Sequence, residues 1–88
     1  MSKGKVTKVV DGDTFIIKGG RYIRLEGVDT PEKGTKGFAS ARKDLEGLIE
    51  SKTVLYDEVG RSYGRIVAKV RLGGKSVNGA MKRKGYSA

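Results

Sequence analysis

The chain has 88 residues, with 19 Lys or Arg against 10 Asp or Glu, a formal charge of +9 and a pI near 10.0. A body this small buries only roughly 60–65% of its unfolded surface, so one domain spanning residues 1–88 with a thin core is expected. It has no Cys and no His, which excludes disulfides, thiolate metal sites and Ser-His or Cys-His nucleophile pairs, and leaves only oxygen ligands for any metal.

Lys5 to Val10 reads as a strand rich in Val and Thr. Asp11-Gly12 follows, a dipeptide suited to a tight hairpin turn with positive φ. Thr14 to Lys18 is a second strand, Gly19-Gly20 a second turn, and Arg21 to Leu25 a third strand, giving a meander whose turns fix its register. Pro31 ends the extended region, since it cannot donate to a sheet ladder. From about Gly37 to Ser51 the period changes. Phe38, Ala41, Leu45, Leu48 and Ile49 recur at helical spacing and are read as core. Thr53 to Glu58 is a fourth strand, Val59 to Gly64 a turn-like segment, and Arg65 to Leu72 a fifth strand. After Gly73-Gly74, Ser76 can cap a short helix from Val77 to Lys84, with Gly85 just past its end. The expected fold is mainly β with some α: a small five-stranded barrel, one longer helix after the third strand and a short one near the C-terminus. Lys82-Arg83-Lys84 is read as a solvated helix end that complements the dipole.

The charge draws polyanions, although it would serve solubility alone equally well. No run approaches transmembrane length, so no membrane partner is expected. Met1 to Lys5 is not followed by an apolar segment, so no signal peptide is expected in this sequence. The expected location is the cytoplasm, or the outside of the cell for a mature form whose leader has been removed.

Three clusters can carry chemistry: Asp11-Gly12-Asp13-Thr14, then Arg24 through Glu32, then Arg61-Ser62-Tyr63-Gly64-Arg65. Each has a plain structural reading as a turn, a strand exit or a solvated side chain. Together they supply what phosphodiester cleavage needs. Asp13 and Asp29 offer oxygen ligands to a hard cation, Arg24 and Arg65 offer two-pronged contacts to phosphate, and Glu32 offers a carboxylate to position or deprotonate water. All five lie at predicted strand ends, where a rigid scaffold presents its loops.

The order of these clusters resembles the staphylococcal nuclease family: Asp-Gly-Asp-Thr, Arg-x-x-x-Val-Asp-Thr-Pro-Glu, Tyr-Gly-Arg and Gly-Lys-x-Val-Asn, from about Val6 to Tyr86. The resemblance implies an OB-type barrel with helices packed on it. It implies one Ca²⁺ bound by Asp13, Asp29 and the backbone carbonyl of Thr30. Glu32 would orient or activate the attacking water. Arg24 and Arg65 would hold the scissile phosphate and neutralise developing charge, and Tyr63 would touch a substrate phosphate. The implied reaction is hydrolysis of DNA or RNA, by a chain expected to be monomeric, with little sequence preference and 3′-phosphate products. Three departures stand out. The loop after Glu32 is shorter, and Arg61-Ser62 stands where the family often carries an acid and a base. The family also continues past the second helix into further aromatics and a third helix, whereas this sequence ends at Ala88. The alternative expectation is a catalytically weak or inactive nucleic-acid-binding module of the same fold.

Overall fold

The computed structural model describes residues 1–88. Strands β1 (Ser2–Val9), β2 (Thr14–Ile17) and β3 (Arg21–Leu25) form an antiparallel meander. Helix α1 (Phe38–Ile49) follows, then β4 (Thr53–Ser62), β5 (Arg65–Leu72), the two-residue β6 (Lys75–Ser76) and helix α2 (Val77–Arg83). β1 bends at a bulge between Val6 and Lys8, so its second half pairs with β2 and its first half with β4. Parallel pairing of β3 with β5, Ile23 opposite Ile66, closes five strands into a barrel. Closure leaves little free sheet edge.

The barrel holds a cluster of 16 buried apolar residues. Phe15, Ile23, Leu25, Val54 and Val70 fill it from the strands. Leu45 and Ile49 enter from α1, and Val77 and Met81 from α2. The helical period of Ala41, Leu45 and Ile49 thus marks the buried stripe of α1. Phe38 departs from the core reading. It is only partly buried, lies outside the core cluster, and carries the Arg42 guanidinium 5.9 Å above its ring centre. Ser76 caps α2 as its sequence predicts, its Oγ accepting the Gly79 N–H at 3.0 Å. No helix is long and apolar enough to cross a membrane.

Two strand boundaries move by three residues or more from the sequence reading. β1 starts at Ser2, because residues 2 to 5 pair with Thr53 to Tyr56. β4 runs to Ser62, because Gly60, Arg61 and Ser62 still pair with Val67, Ile66 and Arg65 past a bulge at Val59. The turn is only Tyr63-Gly64, with φ of 51° and 78°. Two successive left-handed residues match the twist of a hairpin. Asp11-Gly12, by contrast, is not a left-handed turn, since neither residue has positive φ. Gly12 serves a close approach: a Cβ there would sit 2.7 Å from both the Ala41 Cβ and the Thr30 Cγ2. The absent side chain lets the β1–β2 loop press against α1 and the loop after β3.

Candidate active site

That close approach assembles a polar pocket of about 190 Å³, lined by Asp11, Asp13, Arg24, Asp29, Thr30, Pro31, Glu32 and Arg65 with no hydrophobic side chain. Six of the seven residues singled out in the sequence therefore share one concavity. The exception is Tyr63, 97% exposed at the tip of the β4–β5 hairpin. A larger concavity of about 530 Å³, lined in part by Tyr22, Tyr56, Glu58 and Arg61, shares no residue with this pocket. Its Arg61 is paired with Glu58 at 3.2 Å.

Each side chain is placed by its own element. Asp13 and Thr14 stand where the loop enters β2, and both are buried. Asp13 lies opposite the end of β3, its carbonyl accepting the Leu25 N–H at 2.8 Å. Arg24 is the penultimate residue of β3 and Arg65 the first of β5. Parallel β3–β5 pairing brings these two strands side by side. Asp29 to Glu32 form the loop leaving the barrel, with Asp29 and Glu32 exposed and Thr30 buried.

A hydrogen-bonded chain links the acids to the arginines. The Thr14 hydroxyl donates to Asp13 Oδ1 at 2.8 Å and accepts from Arg65 Nη1 at 3.4 Å. Arg24 Nη2 lies 3.5 Å from Asp13 Oδ2, and its Nη1 donates to the Leu25 carbonyl at 3.1 Å. Asp11 Oδ1 accepts the Asp13 N–H at 3.0 Å, closing the turn. Thr14 and Asp11 were not singled out as site residues. Asp-Gly-Asp-Thr pointed at them, but spacing cannot show that a hydroxyl bridges an acid on one side to a guanidinium on the other.

Asp13 is electrostatically uncomfortable. Burial pushes its carboxyl above the ordinary value of 3.8, and the neighbouring Asp11 adds to the rise; the Thr14 hydroxyl and Arg24 oppose it. Desolvating a carboxylate beside another carboxylate is what a nearby cation relieves. The donors fit a hard cation: two carboxylates, Asp13 and Asp29, line the pocket together with Thr30, whose backbone carbonyl would be a third oxygen. No three acidic side chains group closely enough to hold an ion by themselves. An ion here would depend on the carbonyl and on water as well. Thr30 Oγ1, buried without a hydrogen-bond partner, leaves one more oxygen unsatisfied at the site.

The loop bearing Asp29 is anchored from behind. The Asp29 N–H donates to the Tyr86 carbonyl at 2.9 Å, Val28 bridges to Ser87, and the Ala88 N–H donates to the Gly27 carbonyl at 3.0 Å. Buried Asn78 on α2 donates to the Glu26 carbonyl at 2.9 Å and the Ala68 carbonyl at 3.1 Å, and accepts the Val70 N–H at 2.8 Å. The Gly-Lys-x-Val-Asn segment therefore acts as a clamp holding the β3 exit against β5.

A closed five-stranded barrel, with acids and arginines from separate strands gathered at its loops, defines a class. The chain belongs to the staphylococcal nuclease homologue family, whose profile matches residues 22–88. It is also 34% identical over 76 residues to the UvrABC system protein B of Thermotoga petrophila, and 33% identical over 76 residues to that of Thermotoga maritima. Each alignment covers 86% of this chain and 11% of the relative, so the chain spans a small part of the curated proteins it matches.

Proposed function

We propose that this chain is a Ca²⁺-dependent nuclease, hydrolysing phosphodiester bonds of DNA or RNA with little sequence preference and leaving 3′-phosphates. One observation carries the reading. Asp13, Arg24, Asp29, Thr30, Glu32 and Arg65, distant in sequence, line one pocket without a hydrophobic side chain.

Asp13, Asp29 and the Thr30 carbonyl would hold Ca²⁺, which supplies positive charge and Lewis acidity beside a phosphoryl oxygen. Arg24 and Arg65 grip the phosphate. Arg65 is steadied through Nε to the Ser62 carbonyl and Nη1 to Thr14, both at 3.4 Å, which leaves Nη2 without a protein partner. Arg24, aligned by Asp13, supplies the second planar donor set. These donors are positioned before reaction, so they meet developing charge without reorganising. The Glu32 carboxylate makes no hydrogen bond or ion pair with the protein and is exposed at the pocket, so it is free to orient a water and take its proton. Tyr63, beyond the rim, would touch the strand further along. Because the gripping groups address phosphate, base identity matters little.

The test is single-turnover cleavage of a labelled single-stranded DNA in Ca²⁺ by the wild type and by Glu32→Ala. The variant is expected to bind the strand but to cut it about 10²–10⁴-fold more slowly. Equal rates would remove Glu32 from the reaction and with it this use of the pocket.

A further inference from the structure

Against the proposed active site lies a second concavity of about 220 Å³, lined by Lys8, Val10, Asp11, Lys33, Phe38 and Arg42. We infer that it is a second phosphate subsite, taking the backbone phosphate next to the one gripped by Arg24 and Arg65. The inference rests on the nuclease reading and deepens it, since a substrate held at both points spans at least two linkages.

The two concavities are contiguous. Asp11 lines both, and Lys33 directly follows Glu32. Three cations converge on the second one, and none is in an ion pair; the pairs in the molecule involve the N-terminus, Arg24 and Arg61. The opposing charge is Asp11, whose Oδ1 accepts the Asp13 N–H. Net positive potential therefore remains on this side of the barrel.

Arg42 makes the case specific. It sits on α1 with its guanidinium over the Phe38 ring, its Nε buried and without a partner. Packing on the aromatic face fixes the group in place. No protein acceptor uses any of its donors. A guanidinium fixed but unmatched suits an acceptor arriving from outside, and planar two-pronged recognition of phosphate is where Arg excels. α1 strengthens the field: Phe38 is its first residue, its N-cap Gly37 offers no side-chain acceptor, and its first turn has no acid. The positive end of the helix dipole is thus uncompensated beside the cations.

The test uses single-stranded oligonucleotides in which one linkage, on one side or the other of the cut bond, is a neutral methylphosphonate. KM and kcat are measured for the wild type and for the Lys8→Ala/Lys33→Ala/Arg42→Gln triple variant, in which both lysine positions are exposed and Gln removes the Arg42 charge while keeping much of its stem. In the wild type, neutralising the neighbouring linkage on one side is expected to raise KM about tenfold, the scale of one charged hydrogen bond, and to change kcat less. In the triple variant the same replacement has little effect. An unchanged wild-type KM at both linkages, or an equal penalty in both proteins, would overturn the subsite while leaving the nuclease intact. If the wild type cuts no oligonucleotide, the nuclease reading fails instead. Affinity for the neutral and native strands then tests the subsite alone, and equal affinities overturn it.

Discussion

Asp13 lies where burial and Asp11 oppose its charge and only Thr14 and Arg24 support it. Its folded pKa is raised above 3.8, so folding favours the protonated form. The stability tied to that form is whole below the ordinary value and is lost as pH rises through the folded one. At any pH above the folded value the metal-free protein carries an ionised Asp13 at a cost. Asp13→Asn keeps the shape and an oxygen for the Thr14 hydroxyl while removing the charge. It is expected to melt higher than the wild type in chelator at pH 7, and to gain less than the wild type when Ca²⁺ is added. A lower melting temperature in chelator would contradict this account of the pocket. Arg65 gives a second residue-level prediction. Arg65→Lys keeps the charge but loses the planar fork, so kcat should fall about 10²-fold, the cost of losing one preorganised donor. Near-normal turnover would make Arg65 a structural residue. That Asp13, Arg24, Asp29, Glu32 and Arg65 belong together was legible in the sequence, because the order of their motifs set them beside one another, and they line one pocket. The bridging hydroxyl of Thr14 and the unmatched Arg42 were not, because both depend on what lies across the barrel.

At the scale of elements, the loop after β3 is held by the segment following α2. Asp29 and Gly27 both bond to residues 86–88, and the Tyr86 hydroxyl donates to Asp44 Oδ2 on α1 at 2.9 Å. That bond to Asp44 raises the Tyr86 pKa above 10.0, with burial adding to it. The bond needs the phenol protonated. Its contribution is full below the ordinary tyrosine value and fades as pH rises through the raised one. Tyr86→Phe should therefore cost about 1 kcal/mol of stability between pH 7 and 9, with the gap to the wild type closing above pH about 10. Denaturant melts across that range check it, and a gap constant to pH about 12 would mean the hydroxyl is not the cause. Elements were legible where glycine marked a true turn, as at Gly19-Gly20 and Gly73-Gly74, all four with positive φ. They were misread where glycine meant something else. Gly12 permits contact with Ala41 and Thr30, and Gly60 lies inside a paired strand beyond a bulge.

At the scale of the whole molecule, barrel closure is the step that makes a site. Parallel pairing of β3 with β5 joins segments far apart in the chain: the β2–β3 hairpin already sets Arg24 beside Asp13, and closure adds Arg65, which reaches the Thr14 hydroxyl. The class of fold followed from counting strands and helices, but this pairing leaves no periodic trace in sequence. The charge of +9 surrounds a pocket rich in acid, an arrangement that draws a polyanion in and asks for a cation where it is cut. The most direct measurement is a Ca²⁺ titration of single-stranded DNA cleavage by the wild type beside Asp29→Ala, each with a chelator control. Wild-type cleavage should be absent in chelator and saturate with Ca²⁺, while Asp29→Ala stays flat at the same concentrations. Cleavage that ignores the chelator, or a strand bound but never cut across a wide pH range, would contradict the account.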